Sequence, residues 1–575
     1  MAKPAPERAC DVIMKGGITS GVIYPKAVTA LAEKYRFRSI GGTSVGAIAA
    51  AITAAAELNR EGGGFDVVEK LPERIAKHLP NLFQPAPAAR PLYALLRWGV
   101  LERRFGKAFW TLLFHHGQFV LVGAMIAFTL GLFSAAIGGS LFAVVFALLV
   151  FALVTVGLSA WSVVANAKDV LEENFYGLCP GPTQEDAEGI GLSDWLAETI
   201  EEAAGRGLPD DPEELRRPLT FGDLARSGRP DAPESEPGPI QLAMMTTNLA
   251  LRRPHWLPDL TKPGHPFEAL YFREDEFRLV LPGWVVDWMT QGPAARPGPQ
   301  AGLWHMPEPD DLPVVVATRM SLSFPVLISA VPLYAPDGSG AVRRMLFSDG
   351  GISSNFPIHF FDALLPRRPT FGISLESVST LPGGERASLP TAERPDPWIG
   401  LVQPKGPLGF LGAVLDAMQE WQDRLQTSLP GYRERVADVY LLDDEGGLNL
   451  AMGSETLDAL TKIGAEAGAL LAGDRFDFDD HRWRRFLVAY ARLEETLAKT
   501  AARWTGAGSG ESMAEAMKRI AKDPSSFDDT DPETMRAMLE RFDGLMRHVA
   551  GWDEPLASKA DIPQPESALR ITPKA

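Results

Sequence analysis

Residues 36–55, RFRSIGGTSVGAIAAAITAA, decide how the rest of the chain is read. A short β-like run meets Gly41 and Gly42. Ser44 sits between small residues, and an alanine-rich run without proline follows to Leu58. Gly42-Thr43-Ser44-Val45-Gly46 matches G-x-S-x-G. The chain holds 54 glycines, so the pentapeptide alone decides little. Its context decides more, because strand, tight turn and helix in that order are what a nucleophile elbow requires. Small neighbours let the backbone turn sharply enough to present the serine hydroxyl. The helix start behind it aims backbone N–H groups and a partial positive charge at a developing oxyanion. Ser44 is therefore a candidate nucleophile.

Two more segments belong with this one. Upstream, DVIMKGGITSGVIYPKAVTAL (11–31) runs a strand into Gly16-Gly17, with a helix starting near Gly21. Loop amides at such a turn bind an anion through the backbone alone. The spacing is neither G-x-G-x-x-G nor a Walker loop, which argues against nucleotide phosphates. Downstream, RRMLFSDGGISSNFPIHFFDALL (343–365) reads as a strand, an Asp349-Gly350-Gly351 turn and a helix.

Taken together, these segments resemble the patatin-like phospholipase family, lipid acyl hydrolases that use a Ser-Asp dyad. The likeness covers about residues 10–58 and 219–378, with PLTFGDL (218–224) and RMSLSFPVLISAVPLY (319–334) as further landmarks. It is fainter at GGLNLAMGSETLDALTKIGAEAG (446–468). The resemblance implies Ser44 as nucleophile, Asp349 as its base without a histidine, and an oxyanion hole at Gly16, Gly17 and Ile18. It implies a phospholipase A-like activity on fatty-acyl esters of membrane lipids through an acyl-serine intermediate, with no cofactor and no metal. The family loop is usually G-G-G-x-[RK]-G, whereas this chain has Gly16-Gly17-Ile18-Thr19-Ser20-Gly21. The third glycine and the basic residue are absent, and Lys15 is the nearest cation. The implied fold is an α/β, three-layer arrangement around a central mixed sheet.

Two other readings stay open at this point. An ordinary Ser-His-Asp esterase would draw its histidine from His359 or His481, which follow Asp349. A membrane-anchored binding or scaffold protein with a degenerate hydrolase fold would fit the altered glycine loop.

Composition adds limits. The chain has 575 residues, enough for more than one structural region. A formal net charge of -17 argues against nucleic acid as a partner. Cys10 and Cys179 are too few for a disulfide framework and lack metal-type spacing, as in a reducing compartment. No signal-peptide run opens the chain, so the catalytic part is expected in the cytoplasm.

Between Gly117 and Ala167 there is no Asp, Glu, Lys or Arg. Two apolar runs, 119–137 and 140–164, flank Gly138-Gly139. At about 1.5 Å per residue each could span roughly 30 Å of hydrocarbon. Arg103, Arg104, Lys107 and Lys168 flank the pair. The expectation is a two-helix transmembrane hairpin at about 118–165, both ends cytoplasmic, holding the enzyme on a lipid bilayer beside its acyl-lipid substrate.

The organisation expected is a catalytic region at 1–58 and 206–400, and an insertion at 59–205 carrying the hairpin. A helical C-terminal region at 401–552 and a disordered tail at 553–575 complete it. The sequence leaves the oligomeric state open.

Overall fold

The computed structural model describes residues 6–17, 20–101, 107, 123–126, 128–129, 141–209, 211, 214–260, 269–337, 339–378, 381, 384–390, 417, 423–442, 445, 452–506, 511–522, 531–552 and 554–563. It is a mixed α/β protein built on an eleven-stranded sheet. Strands β1 (Arg8–Met14) and β2 (Tyr35–Gly42) bracket helix α1 (Tyr24–Ala32), and helix α2 (Val45–Leu58) follows at once. β1 is buried past its first residue, as suits a strand covered on both faces, and its one buried carboxylate, Asp11, pairs with Arg368 at 2.7 Å. β2 is buried throughout although it carries Arg36 and Arg38. Their guanidinium groups donate to the carbonyls of Ser235, Pro233 and Glu236, which satisfies the charges' hydrogen bonding at the strand end.

Helices α3 (Gly64–Leu82), α4 (Arg90–Leu95), α5 (Leu141–Glu173) and α6 (Leu192–Ala203) come next, with the short strand β3 (Gly177–Cys179) before α6. After α7 (Phe221–Ala225) the chain returns to the sheet as β4 (Gln241–Asn248) and β5 (Arg253–Leu257). Then come β6 (Tyr271–Arg273), α8 (Glu274–Val280), α9 (Gly283–Gln291), β7 (Leu303–His305) and α10 (Val314–Ser321). β8 (Val326–Ile328), β9 (Val331–Pro336), β10 (Val342–Ser348), β11 (Thr370–Ser377), β12 (Ala387–Ser388) and β13 (Val436–Leu441) supply the remaining strands. Helices α11 (Ser454–Ala472), α12 (Phe478–Thr505), α13 (Met513–Ile520) and α14 (Pro532–Ala550) close the described chain.

The strand order is β12-β13-β11-β1-β2-β4-β10-β9-β6-β7, with β5 paired to β4 and β3 paired to β8 apart from it. The segment β13-β11-β1-β2-β4 is parallel. The C-terminal ends of β1 and β2 therefore lie side by side, the edge where open α/β sheets bind ligands. β10 is antiparallel to β4 but overlaps it only at Phe347–Asn248 and Ser348–Thr247. That short overlap brings the end of β10 to the C-terminal end of β4.

Three expectations need correction. Among the described residues no helix is long and apolar enough to cross a membrane. This overturns the two-helix, multi-pass hairpin and the sidedness drawn from it. The first of the two runs is described only at 123–126 and 128–129, and Gly138-Gly139, Arg103 and Arg104 lie outside the described residues. The second run does not stop at Ala167. It is the upstream part of the 33-residue α5, whose last two turns carry Lys168, Asp169, Glu172 and Glu173. That end packs on the core through Val170 and Leu171, and Phe175 just beyond is buried in it.

Secondly, the α-helix expected after Asp349 is two 3-10 turns, Gly350–Ile352 and Ile358–Phe361. Pro357 lacks an N–H for a helical ladder, and the Asp423 carboxylate takes the amides of Asn355 and Phe356 at 2.7 and 2.8 Å. Thirdly, the stretch read as mostly helical beyond 401 also supplies β13, parallel to β11, and α11, which packs on α1. The tail at 553–575 is described only over 554–563, where Leu556 and Ala557 donate to Glu494.

Candidate active site

Ser44 stands between β2 and α2 with φ 55° and ψ -129°. A non-glycine residue in that region is strained, and such strain persists only where the surroundings fix it. Here they do. The Thr43 hydroxyl donates to the Asn355 carbonyl at 3.0 Å, and the Ser44 N–H donates to the Ser321 hydroxyl at 3.2 Å. Gly46 lies so close to the end of β1 that a Cβ there would stand 2.2 Å from the Met14 carbonyl oxygen. Ser44 holds the N-cap position of α2, yet its side chain caps nothing. The hydroxyl is not committed to the helix it precedes.

Asp349 follows β10 and is buried. Its N–H donates to the Ser323 carbonyl at 3.0 Å, and its own carbonyl accepts the Thr247 hydroxyl at 2.9 Å. Oδ1 accepts the Gly351 N–H at 2.7 Å, whereas Oδ2 is buried and accepts no hydrogen bond. Burial pushes the Asp349 carboxyl up to about 7, and the neighbouring Ser44 side chain and the Gly351 amide pull against that rise. A carboxyl in this state can take a proton near neutral pH, which an exposed aspartate cannot do effectively.

The glycine loop after β1 is tied to the same place. Gly16 donates its N–H to the Asn355 carbonyl at 2.8 Å. A Cβ on Gly16 would fall 2.1 Å from the Asn355 Oδ1 and 3.1 Å from the Ser44 Cβ. The same Oδ1 lies 2.8 Å from where a Cβ on Gly351 would be. Asn355 thus wedges between the glycine loop and the Asp349 turn, and the absence of a side chain on each glycine makes room for it. The Gly16 amide is engaged, Gly17 is described beside it, and Ile18 lies outside the described residues. Lys15 does not stand free as a cation for the loop, since its ammonium pairs with Glu376 at 2.8 Å in a buried site.

Sequence reasoning missed Asn355 and Asp423. The Asp423 carboxylate accepts the Ser354 hydroxyl at 2.9 Å along with the two amides named above. Burial raises its carboxyl above the usual range. Asn355, two residues before Pro357, is a local signal for a capped turn. Asp423 offers no local signal, because its partners lie far away in sequence.

The two histidines of the triad reading have other surroundings. His359 packs against Trp256 and Phe360, with ring centroids 6.2 and 5.4 Å away. Burial lowers its pKa. His481 lies among Phe476 and Phe478, and burial together with Arg435 and Arg485 holds its pKa down at about 3. Among the described residues no group of His, Cys, Asp and Glu is placed to hold a metal ion.

An apolar cavity opens at Ser44. Its volume is about 90 Å³. One wall is the α2 face of Val45, Ile48, Ala49, Ile52 and Thr53. The facing wall is the α3 face of Val68, Leu71, Ile75, Leu79 and Leu82. The segment from Gly21 to Val28, Trp195 of α6 and Phe324 are among the residues that line its other sides.

No family model matches the sequence. The chain is 35% identical to the RpoH suppressor of Rhizobium meliloti (strain 1021) over 654 aligned positions, which take in 99% of each protein. Among solved structures it is similar to the type III effector protein ExoU, with a TM-score of 0.30 and 12% identity over 97% of this chain and 79% of that one. The ExoU–SpcU heterodimer from the type III secretion system of Pseudomonas aeruginosa gives a TM-score of 0.20 and 16% identity, over 96% of this chain and 74% of the other. Likenesses at those scores carry no argument about chemistry.

Proposed function

This chain belongs to the family of the RpoH suppressor of Rhizobium meliloti, a name that carries no chemistry, and we propose from the site itself that it is a serine acyl hydrolase. Its substrates are fatty-acyl esters of lipids. Its fold is of the patatin-like kind, a reading that rests on the order of the glycine loop, the serine elbow and the Asp-Gly-Gly turn. The single observation that carries the proposal is a strained Ser44 whose side chain does not cap its helix and lies against the buried Asp349 carboxyl, pulling against the rise in pKa that burial causes.

The reaction follows from those atoms. The Asp349 carboxylate takes the Ser44 proton as the serine oxygen bonds to the acyl carbon. Negative charge moves onto the former carbonyl oxygen. Amides of the loop at Gly17 and Ile18, with that of Val45 just after the serine, are the proposed donors to it, since the Gly46 and Ala47 amides serve the Thr43 and Ser44 carbonyls. One such donor is typically worth about 3 kcal/mol. The Gly16 amide already serves the Asn355 carbonyl, so its part is to hold the loop. When the tetrahedral intermediate collapses, the alcohol oxygen leaves with the proton held on Asp349. Water then attacks the acyl-serine, gives its proton to Asp349, and the fatty acid departs as Ser44 recovers its hydrogen.

The test is fatty-acid release from a mixed panel of phospholipids and neutral acyl esters by the purified protein. Wild type releases fatty acid and Ser44→Ala does not. No release by wild type from any member of the panel, or equal release by both proteins, contradicts the proposal.

A further inference from the structure

We infer that the cavity beside Ser44 is a measuring slot for a long acyl chain, and that α3 sets the length it accepts. The inference rests on the acyl-hydrolase reading and adds to it the acyl-chain length and the residues that select it. The two walls are built alike. On α2 the lining residues recur three and four positions apart, starting one residue beyond Ser44, so they form a single face leading away from the nucleophile. On α3 the lining residues run from Val68 to Leu82, roughly 21 Å along the helix at 1.5 Å per residue. Facing apolar helix surfaces ordinarily mesh and leave few voids larger than a water molecule. These two helices touch, yet the lining residues leave a gap between them that reaches Ser44.

The lining says what fills the gap. It contains no charged side chain. Besides Ser44 and the Trp195 indole N–H, its side-chain polar groups are the hydroxyls of Thr53 and Tyr24, both tied to backbone carbonyls. Thr53 Oγ1 donates to Ala49 at 2.6 Å, and the Tyr24 hydroxyl donates to Lys15. A phosphate, glycerol or sugar would lose its hydration there without replacement, whereas hydrocarbon loses nothing. The slot therefore takes the acyl chain and leaves the alcohol part of the ester outside. α3 lies outside the two segments, 10–58 and 219–378, that carry the motif resemblance. Chain-length selection is thus a property of this chain's own intervening helix and not of the segments that perform the chemistry.

Ile52 gives the inference a ruler. It sits eight residues beyond Ser44 on α2, roughly 12 Å along the helix axis. Each methylene seated in such a slot raises kcat/KM by about fourfold while room remains. A tryptophan at position 52 fills the slot at that depth, and one at Leu71 does so from the facing wall.

The experiment compares full-length wild type, Ile52→Trp and Leu71→Trp on p-nitrophenyl butyrate and p-nitrophenyl palmitate, with circular dichroism to confirm folding. Wild type is expected to favour palmitate, and each variant to lower the palmitate-to-butyrate ratio of kcat/KM at least tenfold. An unchanged ratio in both folded variants, with hydrolysis retained, overturns the slot and leaves the hydrolase reading standing. A second arm needs no catalysis. Ser44→Ala is titrated with parinaric acid, with and without Ile52→Trp and with and without Leu71→Trp. At least tenfold weaker binding in a folded double variant supports the slot even if no ester is hydrolysed, a result that would sink only the hydrolase reading. Equal binding in the folded double variants overturns it.

Discussion

An ionised Asp349 is expensive to keep where it lies. It is buried, one carboxylate oxygen accepts nothing, and its pKa stands at about 7 against an ordinary 3.8. The folded state therefore prefers the protonated form. The group's contribution to stability is full below about pH 4, shrinks as pH rises from there to about 7, and is lost above. At 1.36 kcal/mol per unit, the cost at pH 8 is at most about 4 kcal/mol. Asp349→Asn keeps an oxygen for the Gly351 amide and removes the charge. It is expected to unfold at higher urea than wild type at pH 8, by a margin that narrows toward zero as pH falls toward 4. Its hydrolysis should be abolished at every pH. Wild-type hydrolysis should rise with pH through an apparent pKa near 7, because the ionised form is the base. An Asp349→Asn protein less stable than wild type at pH 8 would show that the carboxylate is held by contacts other than those described. Ser44 and Asp349 were both legible in the sequence, because an elbow and an Asp-Gly-Gly turn have local signatures. Asn355 and Asp423 were not, because what they do depends on segments that meet only in the fold.

The same division holds for elements. β1, α1, β2 and α2 could be read directly, since each changes the spacing of apolar residues and glycines mark the turns after β1 and β2. β13 could not. Its sequence, VADVYL, lies in a stretch dominated by helical patterns, and only pairing with β11 makes it a strand. The turns after Asp349 were misread for a related reason: the Asp423 carboxylate, more than sixty residues later, takes the amides an α-helix would need. The membrane hairpin was misread because a run of apolar residues does not say where its helix ends. α5 continues into charged turns that dock on the core. At this scale the contact between β1 and α2 can be tested through Gly46. A Cβ there would stand 2.2 Å from the Met14 carbonyl oxygen, so Gly46→Ala must push the elbow away from β1. Overpacking of this kind costs about 1–3 kcal/mol, more than alanine's helix propensity returns. The variant should melt below wild type and lose at least a hundredfold in kcat, because the Ser44 oxygen no longer meets Asp349. Full activity in Gly46→Ala would mean that the elbow tolerates rearrangement.

Across the whole molecule, one half-buried carboxylate joins the C-terminal helices to the loop that follows the Asp349 turn. Asp362 accepts Arg435 at 2.6 Å, Arg485 of α12 at 2.9 Å and the Tyr432 hydroxyl. Removing it strands two buried guanidinium groups. Asp362→Ala should cost about 3–5 kcal/mol, read as a lower urea midpoint by tryptophan fluorescence. A loss below 1 kcal/mol would show that water or other groups can replace Asp362. The net charge of -17 argues against polyanionic partners, and the lining of the cavity beside Ser44 carries no charged side chain. The reaction rests on one claim, that Asp349 activates Ser44. The measurement that tests it most directly is the rate of covalent labelling by a fluorophosphonate, followed by mass spectrometry of the modified peptide across pH. The account predicts one adduct per chain, on Ser44, forming faster as pH rises through about 7 and at least a hundredfold slower in Asp349→Asn. An adduct on another residue, or labelling of Ser44 that is as fast in folded Asp349→Asn as in wild type, would contradict it.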